Sequence, residues 1–343
     1  MNIVSNLPSS SDKSRWHEIV ARYSHSDLKR SIWEMINTLI PYFAFWYAMI
    51  YSVHISYWLT LLLSIPTAGF MVRTFIIFHD CGHGSYFKSQ KANDALGIFT
   101  GILNFTPYYE WRHTHAIHHA TASDLDRRGV GDVKTMTVKE YLAAPWYQKV
   151  WYRIFRSPFI MFTIGPLLVF SLANRIPGSL GGKRERASVW WTDLALAVEI
   201  TLLILLVGWK TWLLVQLPVF MLGTSIGVWL FYVQHNFDPT YWERHKKWEF
   251  VKAGFEGSSY YKLPAVLQWF TGNIGFHHIH HLSPKIPNYK LPKAYNENPA
   301  LHVPPMTIMA SLSALRMRLY DEDRGIMVGW EYLKKYRRNT DSA

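Results

Sequence analysis

Apolar residues fall into long runs separated by polar, histidine-bearing segments. Residues 32–53, 55–78, 189–209 and 211–233 each supply the roughly 20 apolar positions that a helix needs to cross a bilayer. Glu34 lies near the polar end of the first run. Pro66 and Gly69 predict a kink in the second, and Arg73 there must snorkel or pair. Two further runs, 95–106 and 159–173, are too short to cross, and Gly165 and Pro166 interrupt the second, so both read as re-entrant or interfacial. Trp190, Trp191, Trp209 and Trp212 stand at the ends of the later runs, where interfacial belts place tryptophan. No fixed-period repeat or linker divides the chain. The pattern predicts one all-α integral-membrane domain over 1–343, with its core at about 30–320. About four transmembrane helices, interfacial helices and a cytoplasmic helical cap make it up. Residues 1–30 are polar, with no secretory apolar core, and are expected to be cytoplasmic with 321–343.

Composition sharpens this picture. Charged residues make up only 17% of the 343 residues, against about 25% in soluble domains. Lys+Arg 36 against Asp+Glu 24 gives +12. In a membrane chain that excess points to cytoplasmic basic segments facing anionic lipid. Nucleic acid is not an expected partner, because no phosphate loop or aromatic-interleaved basic stretch accompanies the charge. The single cysteine rules out an internal disulfide framework.

The chemistry lies in three of the polar segments. They read His79-Asp80-Cys81-Gly82-His83, His115-Ala116-Ile117-His118-His119 and His277-His278-Ile279-His280-His281. At about 100° per helical residue, His79 and His83 share a face. His115, His118 and His119 share another, and so do His277, His280 and His281. His113 and His278 turn away and are excluded as ligands. With histidine at roughly 5% of residues, one H-x-x-H-H is expected about 0.03 times in this length, yet two occur. Imidazole suits Zn, Cu, Fe or Ni. A structural zinc takes only four ligands, so this number of imidazoles suits two ions. An iron–sulfur site lacks its cysteines, and c-type haem lacks its C-x-x-C-H. Isolated His17, His25, His54, His245 and His302 read as ordinary polar residues, and Cys81 as a small packed one.

These boxes resemble those of the integral-membrane fatty acid desaturases, whose hallmark is H-x3-4-H, H-x2-3-H-H and H/Q-x2-H-H. The contexts IIFHDCGHGSYF, WRHTHAIHHATASDLDRRG, LFYVQHNFDPTYWE and GNIGFHHIHHLSPKIPNY are similar to Gram-positive bacterial acyl-lipid desaturases of the delta-5 type. The resemblance implies two non-haem irons, O2 as co-substrate, and a cis double bond placed in saturated acyl chains of membrane phospholipids. It also implies a ninth metal ligand, His235, beside the eight box histidines His79, His83, His115, His118, His119, His277, His280 and His281. Related acyl-CoA desaturases carry an asparagine one turn before that histidine. Here Phe231 stands there, so a water-mediated metal contact is either missing or supplied by Gln234 or Asn273. No catalytic residue beyond the metal ligands is implied. A hydroxylase or ketolase on the same di-iron site is the alternative activity, since it shares every ligand.

The three clusters must meet at one site and so lie on one membrane face. The basic stretch at 183–186 puts that face in the cytosol of a multi-pass cell-membrane protein. Reduced ferredoxin or flavodoxin is the expected electron donor there. Carboxylates often orient ligating imidazoles, and Asp80, Asp124, Asp126, Asp238 and Glu256 are the candidates. Lys183, Arg184 and Arg186, with Arg127 and Arg128, are expected to favour anionic lipid headgroups.

Overall fold

The computed structural model describes residues 10–334 and residue 336. Residues 1–9 and 337–343, the extremes of the two expected cytoplasmic ends, lie outside them. The described chain is mostly helical. Helix α1 (Ser10–Ala21) precedes α2 (Leu28–Ser52), whose N-terminus is capped by Asp27 accepting from the Arg30 N–H at 3.1 Å. A short turn returns the chain along α2 as α3 (Tyr57–His83). Then come α4 (Gln90–Leu103), α5 (Tyr108–Thr121), α6 (Val138–Ala143) and α7 (Trp146–Phe155). A π-helical turn, Ile160–Ile164, leads into α8 (Gly165–Ser171). Two long helices follow, α9 (Lys183–Val207) and α10 (Trp209–His235), and then the short α11 (Phe250–Glu256), α12 (Ala265–Phe270) and α13 (His277–Leu282).

Strands are few and short. β1 (Met136–Thr137) pairs parallel with β4 (Leu319–Asp321), which pairs antiparallel with β5 (Ile326–Val328). β2 (Tyr260–Tyr261) pairs parallel with β3 (Pro305–Met306).

Among the described helices, α3, α9 and α10 are long and apolar enough to cross a membrane. A fourth span results if α7 and the stretch that follows it, bent by 62°, count as one. α2 holds nearly all of the 32–53 run and, at about 37 Å for its 25 residues, has the length of a span; the run is mixed in composition. Glu34, Asn37, Pro41 and a set of tyrosines and tryptophans dilute it, and Trp33, Tyr47 and Tyr51 are exposed. The run 159–173 is continuously helical, π-helical up to Ile164 and α-helical from Gly165, and the bend lies ahead of it, between Phe155 and Ile160. The sequence reading had not recognised α7 ahead of it, because α7 carries its apolar residues on one face only.

α3 lies in the middle, packed against α2, α4 and α10, whereas α9 turns most of its surface outward. Tyr42 and Met49 of α2, Phe70 and Met71 of α3, and Val215, Val219 and Phe220 of α10 form one buried cluster. In lipid, close packing of this kind holds helices together, because hydrophobic transfer between them offers little. Arg73, buried in α3, pairs with Glu34 of α2 at 3.1 Å and lies 4.1 Å over the Trp269 ring. Pairing, not snorkelling, is therefore how this cation is accommodated. On the cap side, Trp16, Val20 and Tyr23 share a core with Ile279, Leu282 and Ile286, which anchors the third box.

Candidate metal centre

Four segments deliver imidazoles to one place. The last turn of α3 carries His79 and His83, and α5 carries His115, His118 and His119. The last residue of α10 is His235, and α13 carries His277, His280 and His281. Local chemistry fixes these elements. α3 stops at Gly84, whose φ of 63° is the left-handed conformation that favours glycine at a helix end. A Cβ on Gly82 would sit 2.7 Å from the Trp111 ring, so only glycine lets α5 approach α3 this closely. Trp111 then stacks on His115, with centroids 4.2 Å apart. The Tyr108 hydroxyl donates to the Cys81 carbonyl at 2.7 Å and pins the start of α5 to the first box.

The nine imidazoles form two adjacent groups. His79, His83, His115, His119 and His280 make one, and His118, His235, His277 and His281 the other. Within each, one ring nitrogen per residue lies within 4.8 Å of all the others. The closest approaches are between Nε2 atoms. His119 is 3.2 Å from His115 and 3.0 Å from His280. His235 is 3.2 Å from His118 and 3.0 Å from His277, which is 3.1 Å from His281.

Neutral imidazole carries one N–H, so nitrogens crowded in this way cannot all be satisfied by sharing protons. The buried Nε2 of His83 has no hydrogen-bond partner. Burial, seconded by neighbouring imidazoles, holds His115, His118, His119, His277, His280 and His281 well below the usual histidine range. They are therefore neutral, with lone pairs free for a cation. Nitrogens about 2.1 Å from a shared ion at right angles are roughly 3 Å apart, and opposite ones roughly 4 Å. The donor set thus fits two ions of the type that imidazole binds.

His278 stands outside both groups. Its Nε2 donates to the Leu301 carbonyl at 2.9 Å. His113, His17, His25, His54, His245 and His302 also lie outside them. Cys81 is free, fully buried among Ile77, Phe78, Tyr86 and Tyr108, and absent from both groups.

Of the five candidate carboxylates, Asp80 reaches a cluster imidazole. Its Oδ1 is 3.3 Å from His79 Nδ1. Asp124 instead meets His245 Nδ1 at 2.7 Å, Asp126 accepts from Arg244, and Asp238 accepts from the Met327 N–H.

Sequence reasoning missed what holds Asp80. Its Oδ2 accepts from the backbone N–H of Asn288 at 2.7 Å and from Asn288 Nδ2 at 3.0 Å. The same amide donates to Glu34 Oε2 at 3.1 Å, and Glu34 pairs with Arg73. The second group has a different surround. His235 Nδ1 lies 3.4 Å from the Gly257 carbonyl, and the Phe231 ring packs 5.1 Å from both His118 and His235. Gln234 and Asn273 are engaged elsewhere: Gln234 donates to the Ile274 carbonyl and Asn273 to the Asn288 carbonyl.

A family model described as fatty acid desaturase matches residues 56–308. A fatty acid desaturase of Bacillus subtilis is 48% identical over 316 residues, covering 92% of this chain and 90% of that one. An sn-1 acyl-lipid omega-3 desaturase (ferredoxin) of Synechocystis sp. is 30% identical over 64% of this chain and 62% of its own. An sn-1 oleoyl-lipid 12-desaturase of Synechocystis sp. is 25% identical over 76% of each.

Proposed function

Because the chain belongs to the fatty acid desaturase family, we propose that it is an O2-dependent di-iron acyl-lipid desaturase. It places a cis double bond in saturated acyl chains of membrane phospholipids, at the delta-5 position, and so adjusts membrane fluidity. The observation that carries this reading is the gathering of nine imidazoles from four segments, eight buried and His83 half-buried, into two adjacent groups. The relatives' names support an acyl-lipid substrate and a ferredoxin-type donor. The enzyme works in the cell membrane, with the nine histidines on the cytoplasmic side, where reduced ferredoxin or flavodoxin is at hand.

His79, His83, His115, His119 and His280 would hold one iron, and His118, His235, His277 and His281 the other. Bound there, the irons would supply the O2 chemistry: two electrons, two protons and O2 take two hydrogens from adjacent methylenes and leave as two waters. The chain's own residues do the rest. Asp80 orients the His79 ring through Nδ1, and Asn288 fixes Asp80. Phe231 and Trp111 cover the imidazoles with apolar rings and keep water off the site.

The test is expression in a host lacking unsaturated fatty acids, with mass-spectrometric location of the double bond and metal analysis of the purified protein. A cis alkene at carbon 5 and two irons per chain are expected. A hydroxylated or keto product would overturn the desaturase assignment.

A further inference from the structure

The basic residues that the sequence singles out for lipid headgroups are mostly taken. Arg127 lies 3.9 Å from Asp124, Arg128 pairs with Glu140, and Arg184 lies 3.4 Å from Asp94 and stacks on Tyr109. Two other arginines are not. Arg156, just past the end of α7, is completely buried, and Arg318, just before β4, nearly so. Among the described residues neither has a carboxylate partner. Both donate to one oxygen, the Met317 carbonyl, Arg156 Nη2 at 3.1 Å and Arg318 Nη1 at 2.9 Å. Arg156 Nη2 also reaches Tyr232 Oη and Asn236 Oδ1, each at 3.2 Å. Its Nε and Nη1 are buried with no partner.

Arg156 also lies 5.2 Å from the centre of the Tyr232 ring, but two guanidinium groups with only neutral partners, out of water, repel each other and lack a counter-charge. Burying unpaired charge is costly, and burial together with Arg156 lowers the pKa of Arg318. An anion would relieve both terms, and a guanidinium fork matches phosphate.

The place indicates which anion. α7 exposes Trp146, Tyr147, Val150, Trp151 and Ile154, an aromatic and aliphatic face suited to the membrane interface where phosphodiesters lie. Arg156 sits at the 62° elbow below that helix, beside the π-helical turn. Its partner Asn236 directly follows His235 of the second imidazole group.

We propose that Arg156 and Arg318 form a phosphate-binding site whose occupant is the phosphodiester of the glycerophospholipid being desaturated. The proposal rests on the acyl-lipid reading above. It is tested on the iron-loaded full-length enzyme with phosphatidylglycerol and with an uncharged galactolipid carrying the same acyl chains.

R156Q and R318Q should each raise KM for phosphatidylglycerol at least tenfold, with kcat little changed and galactolipid turnover unaltered. R156K, which keeps the charge, should recover much of the loss. Lysophosphatidylglycerol should raise the melting temperature of the wild type and not of R156Q, and inorganic phosphate at equal concentration should not. Equal impairment on both lipids would mean a structural role and overturn the proposal. Stabilisation by inorganic phosphate as strong as by the lipid would overturn the choice of occupant. Turnover of coenzyme A esters alone would refute the acyl-lipid reading, while the melting measurement would still report on the arginine site.

Discussion

The two imidazole groups sit side by side, yet they are held differently. The five-membered group is tied into a buried polar chain running from His79 through Asp80 and Asn288 to Glu34 and Arg73. The four-membered group is bounded by a main-chain carbonyl and the ring of Phe231, while buried Nδ1 atoms without a partner occur on both sides, at His119 in the first group and at His118 and His277 in the second. Hydrogen bonding to the far nitrogen of an imidazole fixes its tautomer and raises its basicity. His79 of the first group is thus held by a carboxylate, whereas His235 of the second has only a main-chain carbonyl beside its Nδ1. The two irons proposed here should therefore differ in how readily each is lost.

The strongest challenge to this comparison is to remove a ligand from each side. His280→Ala and His281→Ala should each abolish product, a fall of at least about a thousandfold, because the chemistry needs both ions. Metal analysis should find His281→Ala retaining about one iron per chain, in the five-membered group. Equal loss of both irons in the two variants would show that the groups are not separate.

Next in size is the buried ion pair. Glu34→Ala leaves Arg73 unpaired beneath the first group and should destabilise the protein by about 3–5 kcal/mol, read as a lowered melting temperature. Asp80→Asn should weaken iron binding about 10–100-fold, and a chelator titration should show the loss confined to one of the two irons. A uniform loss from both would remove the distinction between the groups.

His278→Ala gives the smallest effect. It removes a hydrogen bond to the Leu301 carbonyl and no proposed ligand. A stability cost of about 1–3 kcal/mol with full iron content is expected. Lost iron would mean that His278 belongs to the centre.

Helical spacing alone separates His278 from His277, His280 and His281, because that distinction is local. It also groups His115 with His118 and His119 on one face. It does not assign His118 and His119 to different groups, as the structure does, since that division depends on how α5 meets α10 and α13. Asn288 and Glu34 were invisible for a similar reason. Asn288 is 208 residues from Asp80 and 254 from Glu34, and neither belongs to a repeating pattern. Arg156 gave no signal either, being one basic residue among 36. Only burial without a counter-ion distinguishes it.

The contact between Glu34 and Asn288 also bears on how this chain could be recombined with its relatives. The family match begins at residue 56, and α2 lies wholly before it. A chimera that swaps only residues 56–308 into a foreign N-terminal half would carry every histidine but leave Arg73 and Asn288 to find a new carboxylate. Crossover points placed ahead of Leu28 keep the polar chain intact, whereas those between α2 and α3 cut it. The smallest unit that can be transplanted with its first metal group supported therefore begins a full helix earlier than the histidine boxes suggest.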